Sequence, residues 1–172
     1  MFRGRTLLNN ALGVLRAAEI SHLVYVGGNP RLAVSCGASY VSDDASLHDE
    51  RCMLRGVVSA LRSMSSPLHV AVIIACDLPL LRHTTVQRML AAVHFNDIVV
   101  AHGERDHWSC IAVRREMLAH LEASLNAGRR AMHEACSDLL VARVQVDEAE
   151  FINVNTRAAL DDLITTDVVH GG

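Results

Sequence analysis

The sequence predicts an α/β domain whose mainly parallel sheet is covered by helices on both faces. Three observations carry that expectation. Val70-Ala71-Val72-Ile73-Ile74-Ala75 is an apolar run without polar alternation, the habit of a strand buried on both faces. The run stops at one carboxylate, Asp77, and Pro79 cannot continue an ordinary central strand. Short apolar runs alternate along the chain with helically spaced stretches, the order of βαβ units.

The elements follow in sequence. Thr6 is placed to cap a helix carrying Leu8, Ala11, Leu12 and Leu15 at i, i+3, i+4, i+7. His22 to Val26 reads as a strand, ended by the breaker cluster Gly27-Gly28-Asn29-Pro30. Ala38 to Val41 is a short strand ending at Asp43-Asp44. Leu54, Val57, Val58 and Leu61 return to helical spacing, and Ser65-Ser66-Pro67 breaks that helix before the central strand. Thr84 is expected to cap the next helix, with Val86, Met89, Leu90 and Val93 inward. Asp97 to Ala101 is a strand, His102 to Trp108 a polar loop, and Ser109 to Val113 a strand. Met117, Leu118, Leu121 and Leu125 line a helix. Gly128-Arg129-Arg130 reads as a solvated basic turn, Met132 to Cys136 as a short helix and Leu139 to Val146 as a strand. Phe151 to Asn155 alternates, which puts Asn153 and Asn155 on one face. Thr156 then caps a closing helix with Leu160, Leu163 and Ile164.

Bulk composition excludes several classes. The 172 residues fit one domain with one sizeable core. At 51% hydrophobic and 3% aromatic, that core must be aliphatic. A net charge of −3 argues against a sequence-independent nucleic-acid binder, which needs a basic excess. No apolar run approaches the roughly 20 residues of a membrane span, and the N-terminus does not read as a signal peptide, so a cytoplasmic protein is expected. Five scattered cysteines without a C-x-x-C pair fit reduced thiols acting as small core residues. His102 and His107 lack a third ligand and make a poor metal site.

Polar groups collect at strand ends: Asp43-Asp44, Asp77, the His102 to Trp108 loop, and Asn153 with Asn155. In open α/β sheets ligands bind at the carboxyl ends of strands. Asp77 there either holds a divalent cation bridging phosphate oxygens or caps the following helix. No Ser-His-Asp or Cys-His motif, G-x-G-x-x-G or Walker loop is present. An acidic, amide-rich edge suits a metal-assisted nucleotide or phosphate ester better than a covalent intermediate.

Gly4-Arg5-Thr6-Leu7-Leu8, the strand ending Gly27-Gly28, Asp43-Asp44, Ala75-Cys76-Asp77-Leu78-Pro79, Gly103-Glu104-Arg105-Asp106-His107 and Ile152-Asn153-Val154-Asn155-Thr156 occur in one order. Over almost the whole chain this order resembles the molybdenum cofactor guanylyltransferases, nucleotidyltransferases with a Rossmann-like fold. The resemblance implies transfer of GMP from GTP to molybdopterin or molybdenum cofactor, with Mg²⁺ as cofactor. It also implies contact with cofactor-inserting proteins or molybdoenzymes. It assigns Asp77 to Mg²⁺ and the GTP phosphates, Asp44 and Gly56 to the nucleotide, Arg105 and Asp106 to the pterin-side loop, and Asn153 and Asn155 to the acceptor phosphate.

Two departures from the family follow. Its first strand and Gly-rich Arg/Lys loop, upstream of the segment matching Phe2-Arg3-Gly4-Arg5, are not among these 172 residues. That strand would lie between those matching His22 to Val26 and Val70 to Ala75, so both are expected to show unpaired inner edges. A start upstream of Met1 accounts for this, as does a non-catalytic paralogue that binds pterin or nucleotide. The family's Pro-Gly-Pro-Leu-x-Gly turn is Arg51-Cys52-Met53-Leu54-Arg55-Gly56 here, retaining Leu54 and Gly56. That leaves CTP as an alternative donor.

Overall fold

Residues 1–42 and 52–170 are described by a computed structural model. Thr6 caps helix α1 (Leu7–Ala17), its hydroxyl accepting from Asn9 N–H at 3.1 Å. Strand β1 (Val24–Val26) follows and pairs in parallel with β2 (Ser39–Val41). Between them lies α2 (Pro30–Ser35), a helix not expected from periodicity. Its signal is the dipeptide Asn29-Pro30: Asn29 Oδ1 accepts from Arg31 N–H at 3.0 Å, and proline is preorganised for the first helical position. The Asp43-Asp44 end, including Asp44, lies outside the described residues.

Helix α3 (Met53–Arg62) precedes β3 (Val70–Ile74), and α4 (His83–Ala92) precedes β4 (Ile98–His102). A hairpin leads into β5 (Asp106–Arg114), followed by α5 (Leu118–Asn126), the short α6 (Met132–Ala135), β6 (Val141–Gln145) and α7 (Arg157–His170). The main sheet has the order β3-β5-β4-β6. β5 is antiparallel to both neighbours and β4 is parallel to β6. β3, β4 and β6 therefore share one direction, giving the mainly parallel α/β sheet. Residues of α1 and α4 pack on one face, in a cluster with Val72, Val99 and Ala112. Residues of α3, α5 and α6 pack on the other, with Ile98, Val100 and Ile111.

Three expectations are corrected. β3 is not a central strand: every residue is only partly buried, and it forms an edge of its sheet. The reason is that β1 and β2 make a separate two-stranded sheet and no strand joins β1 to β3 among the described residues. The strand buried on both faces is β4, where Ile98 to Ala101 are all inaccessible. Thr84 is not the cap of α4; that position is Arg82, and a buried carboxylate from elsewhere in the chain serves the helix start. The polar loop shrinks to Gly103–Arg105, because Asp106 to Trp108 already belong to β5.

The gap beside β3 can be read group by group. Ala75 N–H donates to Ser109 carbonyl and Arg115 N–H to His69 carbonyl, both at 2.8 Å. Hydrogen-bonded pairs alternate along an antiparallel ladder, so Ala71 and Ile73 face β5 with their backbone groups and Val70, Val72 and Ile74 face outward. In β1 the parallel ladder uses Leu23 carbonyl and Gly27 N–H, at 2.9 Å each, which leaves Val24 and Val26 facing the same gap. Helix α3 touches both β1 and β3. Leu12 and Leu15 of α1 share a cluster with Leu23, Val72 and Ile74, so helices on both faces tie the two sheets together across the gap.

This register makes a prediction for amide exchange. Val70, Val72 and Ile74 amides should exchange on the order of tenfold faster than those of Ala71 and Ile73, because only the second set is paired. Equal protection along β3, measured residue by residue by NMR, would mean that the outer edge is satisfied.

Candidate functional site

The carboxyl ends of β3, β4 and β6 meet at one edge of the sheet, with the start of β5 between them. β3 ends in Ala75-Cys76-Asp77, and Leu78 and Pro79 then turn inward and are buried. This fixes Asp77 at the mouth of the gap. Its Oδ1 is buried and has no hydrogen-bond partner. An unpaired buried acceptor costs about 1–3 kcal/mol, more when charged. Such an oxygen fits a cation. Among the described residues no three His, Cys, Asp or Glu side chains come together as a preformed cage. Mg²⁺ is commonly held by one or two carboxylates with substrate phosphates completing the shell. One free carboxylate oxygen matches that use.

Cys76, next to it, is kept protonated by burial first, then by the fields of Asp77 and Cys36. Burial likewise raises the Tyr25 phenol, with smaller contributions from Cys76, Tyr40 and Cys36. The Tyr25 and Tyr40 rings lie 6.5 Å apart. Cys76 thus links the Asp77 carboxylate electrostatically to Tyr25 of β1.

The chain between β6 and α7 completes the edge. Val154 N–H donates to Asp77 carbonyl at 2.9 Å. Val154 is buried, while Asn153 and Asn155 on either side are exposed. The two amides therefore share a face although this segment is not a sheet strand. Val154 packs with Phe2 and Leu160. Phe2 and Arg5 exchange backbone hydrogen bonds at 2.8 and 2.9 Å around a tight turn with Arg3 and Gly4 at positive φ. The N-terminal turn is thereby seated beside Asn153–Asn155.

Two glutamates in this same connection were not singled out from the sequence. Glu150 is buried, and its Oε2 accepts from Arg82 N–H at 3.0 Å and from the Thr85 hydroxyl at 2.8 Å. It places negative charge at the N-terminus of α4, where unpaired N–H groups and the helix dipole favour it. Glu148 Oε2 accepts from Glu104 N–H at 2.8 Å and lies 2.9 Å from His107 Nε2. The Glu104 bond first, and the His107 bond second, hold its carboxyl below the usual range. His107 is buried, with its ring stacked on Phe151 at 4.1 Å between centroids. No short-range motif marks either glutamate; the one readable hint is an acidic run, Asp147-Glu148-Ala149-Glu150, immediately after a strand.

Arg105 is exposed at the β4–β5 turn. It does not pair with Asp106. Instead Arg143 Nε and Nη2 clamp both Asp106 oxygens at 2.8 Å, and His102 Nδ1 lies 2.7 Å from Oδ1. The Arg143 hydrogen bonds first, and His102 next, lower the Asp106 pKa. Asp77, Asn153 and Asn155 are joined through the Val154 bond, and Arg105 and Asp106 reach the same segment through Glu148. Gly56 stands apart in the first turns of α3, with open space where a Cβ would project.

This is an α/β protein whose mainly parallel sheet carries Asp77, the exposed Asn153 and Asn155 and the Gly103–Arg105 turn along its carboxyl edge. A family model described as the MobA-like NTP transferase domain matches residues 1–141. The chain belongs to that family of nucleotidyltransferases. No curated protein sequence matches it. Among solved structures it is similar to molybdopterin-guanine dinucleotide biosynthesis protein A from Archaeoglobus fulgidus, at 18% identity and TM-score 0.74, over 98% of this chain and 89% of that one. It is similar to Rv0371c from Mycobacterium tuberculosis in complex with manganese, at 18% identity and TM-score 0.71, over 96% and 89%. A 4-diphosphocytidyl-2C-methyl-D-erythritol synthase from Anaerococcus prevotii matches at 10% identity and TM-score 0.79, over 96% and 87%. At these identities the likeness is one of fold.

The Asp106 clamp sets a pH expectation. A lowered folded pKa stabilises the protein fully above the ordinary aspartate value of about 3.9 and loses that effect as pH falls through the folded value. Replacing Arg143 by Met should move the Asp106 midpoint upward, toward the ordinary value, in a carboxyl-carbon NMR titration. An unchanged midpoint would contradict the clamp.

Proposed function

We propose that the chain transfers GMP from GTP to the phosphate of molybdopterin or molybdenum cofactor, with Asp77 as the residue that holds Mg²⁺. The observation that carries this reading is the buried, unpartnered Asp77 Oδ1, facing an edge that also bears Asn153, Asn155 and Arg105. The family and the Archaeoglobus neighbour support it. An acceptor phosphate oxygen forms a bond to the α-phosphorus of GTP. The bond from that phosphorus to the bridging oxygen breaks, and pyrophosphate leaves with the electron pair. The acceptor supplies its own anionic oxygen, so no covalent nucleophile from the protein is needed. A cation on Asp77 supplies charge neutralisation at the triphosphate when bound. Asn153 and Asn155 orient the acceptor phosphate by hydrogen bonds, and Arg105 with Asp106 faces its pterin side. Alignment and charge stabilisation then account for catalysis. Asp44 and Gly56 remain proposed contacts to the nucleotide. The molybdoenzymes and insertion proteins that would receive the product are proposed partners in a cytoplasmic setting. Among the described residues no helix is long and apolar enough to cross a membrane.

CTP as donor is the second reading, favoured by the cytidylyl-type neighbour of high TM-score. Calorimetric titration with GTP and CTP, with and without Mg²⁺, separates the two. GTP should bind only with the cation, and Asp77→Asn should weaken that binding by about a hundredfold while leaving Tm nearly unchanged. Normal cation-dependent binding with a large loss of stability would reduce Asp77 to a structural cap. CTP binding in preference to GTP would establish the second reading.

The amides test the acceptor side. Asn153→Ala or Asn155→Ala should raise the KM for molybdopterin about tenfold and leave the KM for GTP nearly unchanged. Equal losses for both substrates would make the pair a support of the fold.

A further inference from the structure

We propose that Glu148 is a positioning residue that locks the Gly103–Glu104–Arg105 turn into its acceptor-receiving conformation, and that position 103 is glycine to make room for its carboxylate. The assignment of this turn to the acceptor rests on the reading above; the lock itself rests on geometry alone.

Glu148 Oε2 meets two groups of the hairpin at once, Glu104 N–H at 2.8 Å and His107 Nε2 at 2.9 Å. A carboxylate only accepts, so Nε2 carries the proton in this pair. His107 is 6% exposed and stacked on Phe151, which makes it a fixed platform. Gly103 supplies the independent observation. Its φ is not in the left-handed region, so its backbone does not require glycine. A Cβ there would be driven into Glu148 Oε2 and would lie 3.3 Å from Cδ and 3.4 Å from His107 Nε2. The requirement is for space, and the space is filled by the carboxylate.

The hairpin does not need this contact to exist. β4 and β5 are joined by their ladder, and Gly103 N–H already donates to Arg105 carbonyl at 3.1 Å. What Glu148 adds is the placement of residues 104 and 105, whose side chains are exposed and make no hydrogen bond or ion pair among the described residues. Glu148 lies six residues before Val154, which is bonded to Asp77. The turn is thus registered to the segment carrying Asn153 and Asn155, and through it to the metal carboxylate.

The test compares Glu148→Ala, Glu148→Gln, Gly103→Ala and the double variant Gly103→Ala/Glu148→Ala, with GTP and molybdopterin as substrates and Mn²⁺ or Mg²⁺ as cation. Glu148→Ala should raise the KM for molybdopterin about tenfold, with the KM for GTP and cation-dependent GTP binding within about twofold of the parent. The Glu104 amide should exchange faster in the same variant. Glu148→Gln should restore both readouts, because one amide oxygen can accept from Glu104 N–H and His107 Nε2–H. Gly103→Ala should reproduce Glu148→Ala by displacing the carboxylate, and the double variant should be no worse than either single one. A harmless Gly103→Ala, full additivity in the double variant, or parallel loss of both KM values with Tm would overturn the lock. If the parent does not use molybdopterin while the turn is still released in both single variants, the acceptor assignment fails and the lock stands.

Discussion

The hydrogen bond from Val154 N–H to Asp77 carbonyl, 2.9 Å long, joins two parts of the edge that are 77 residues apart in sequence. On one side of it lies the end of β3, with the buried Asp77 carboxylate. On the other lies the connection between β6 and α7, with the exposed amides of Asn153 and Asn155. Val154 is also buried against Phe2 and Leu160, so the bond is shielded from water and its geometry is fixed by packing. The same connection reaches α4 through Glu150 and the β4–β5 turn through Glu148. One nine-residue stretch, from Asp147 to Asn155, therefore sets the relative positions of every described group proposed to touch phosphate or acceptor, apart from Gly56.

The scaffold beneath is asymmetric. β4 is paired on both sides and inaccessible, and it anchors the main sheet. β3 leads into Asp77, the proposed cation ligand, but sits at an unpaired edge, with Val24 and Val26 of β1 facing the same gap. Helices α1 and α3 pack across the faces of both sheets and join them. The half-exposed, unpaired backbone at this gap leads directly to the only buried side-chain carboxylate oxygen without a partner among the described residues. A triphosphate approaching Asp77 would meet outward-facing main-chain groups as well as the cation.

Much of this was legible in the sequence because the signals are local. Thr6 and Thr156 announce helix starts that the structure contains, with hydroxyl caps at 3.1 Å each. The apolar runs announce the six strands found among the described residues. Burial was harder to read. A run of Val and Ile looks the same at the edge as in the middle of a sheet, and only the pairing partners decide which it is. The cap of α4 was misplaced because Glu150 acts across 65 residues, where no spacing rule applies. Arg105 and Asp106 are neighbours in the sequence, yet Asp106 is taken by Arg143 from β6, a tertiary choice set by the β4–β6 register. The Glu148 lock is invisible in sequence for the same reason, although Gly103 without a positive φ is its trace in the backbone.

The most direct measurement is a crystal structure with Mn²⁺ and a non-hydrolysable GTP analogue, using the anomalous signal of the metal. An anomalous peak is expected within direct coordination distance of Asp77 Oδ1, with the triphosphate oxygens on its other side and the Val154–Asp77 hydrogen bond intact. A bound nucleotide whose metal is held elsewhere, with Asp77 Oδ1 still unliganded, would contradict it.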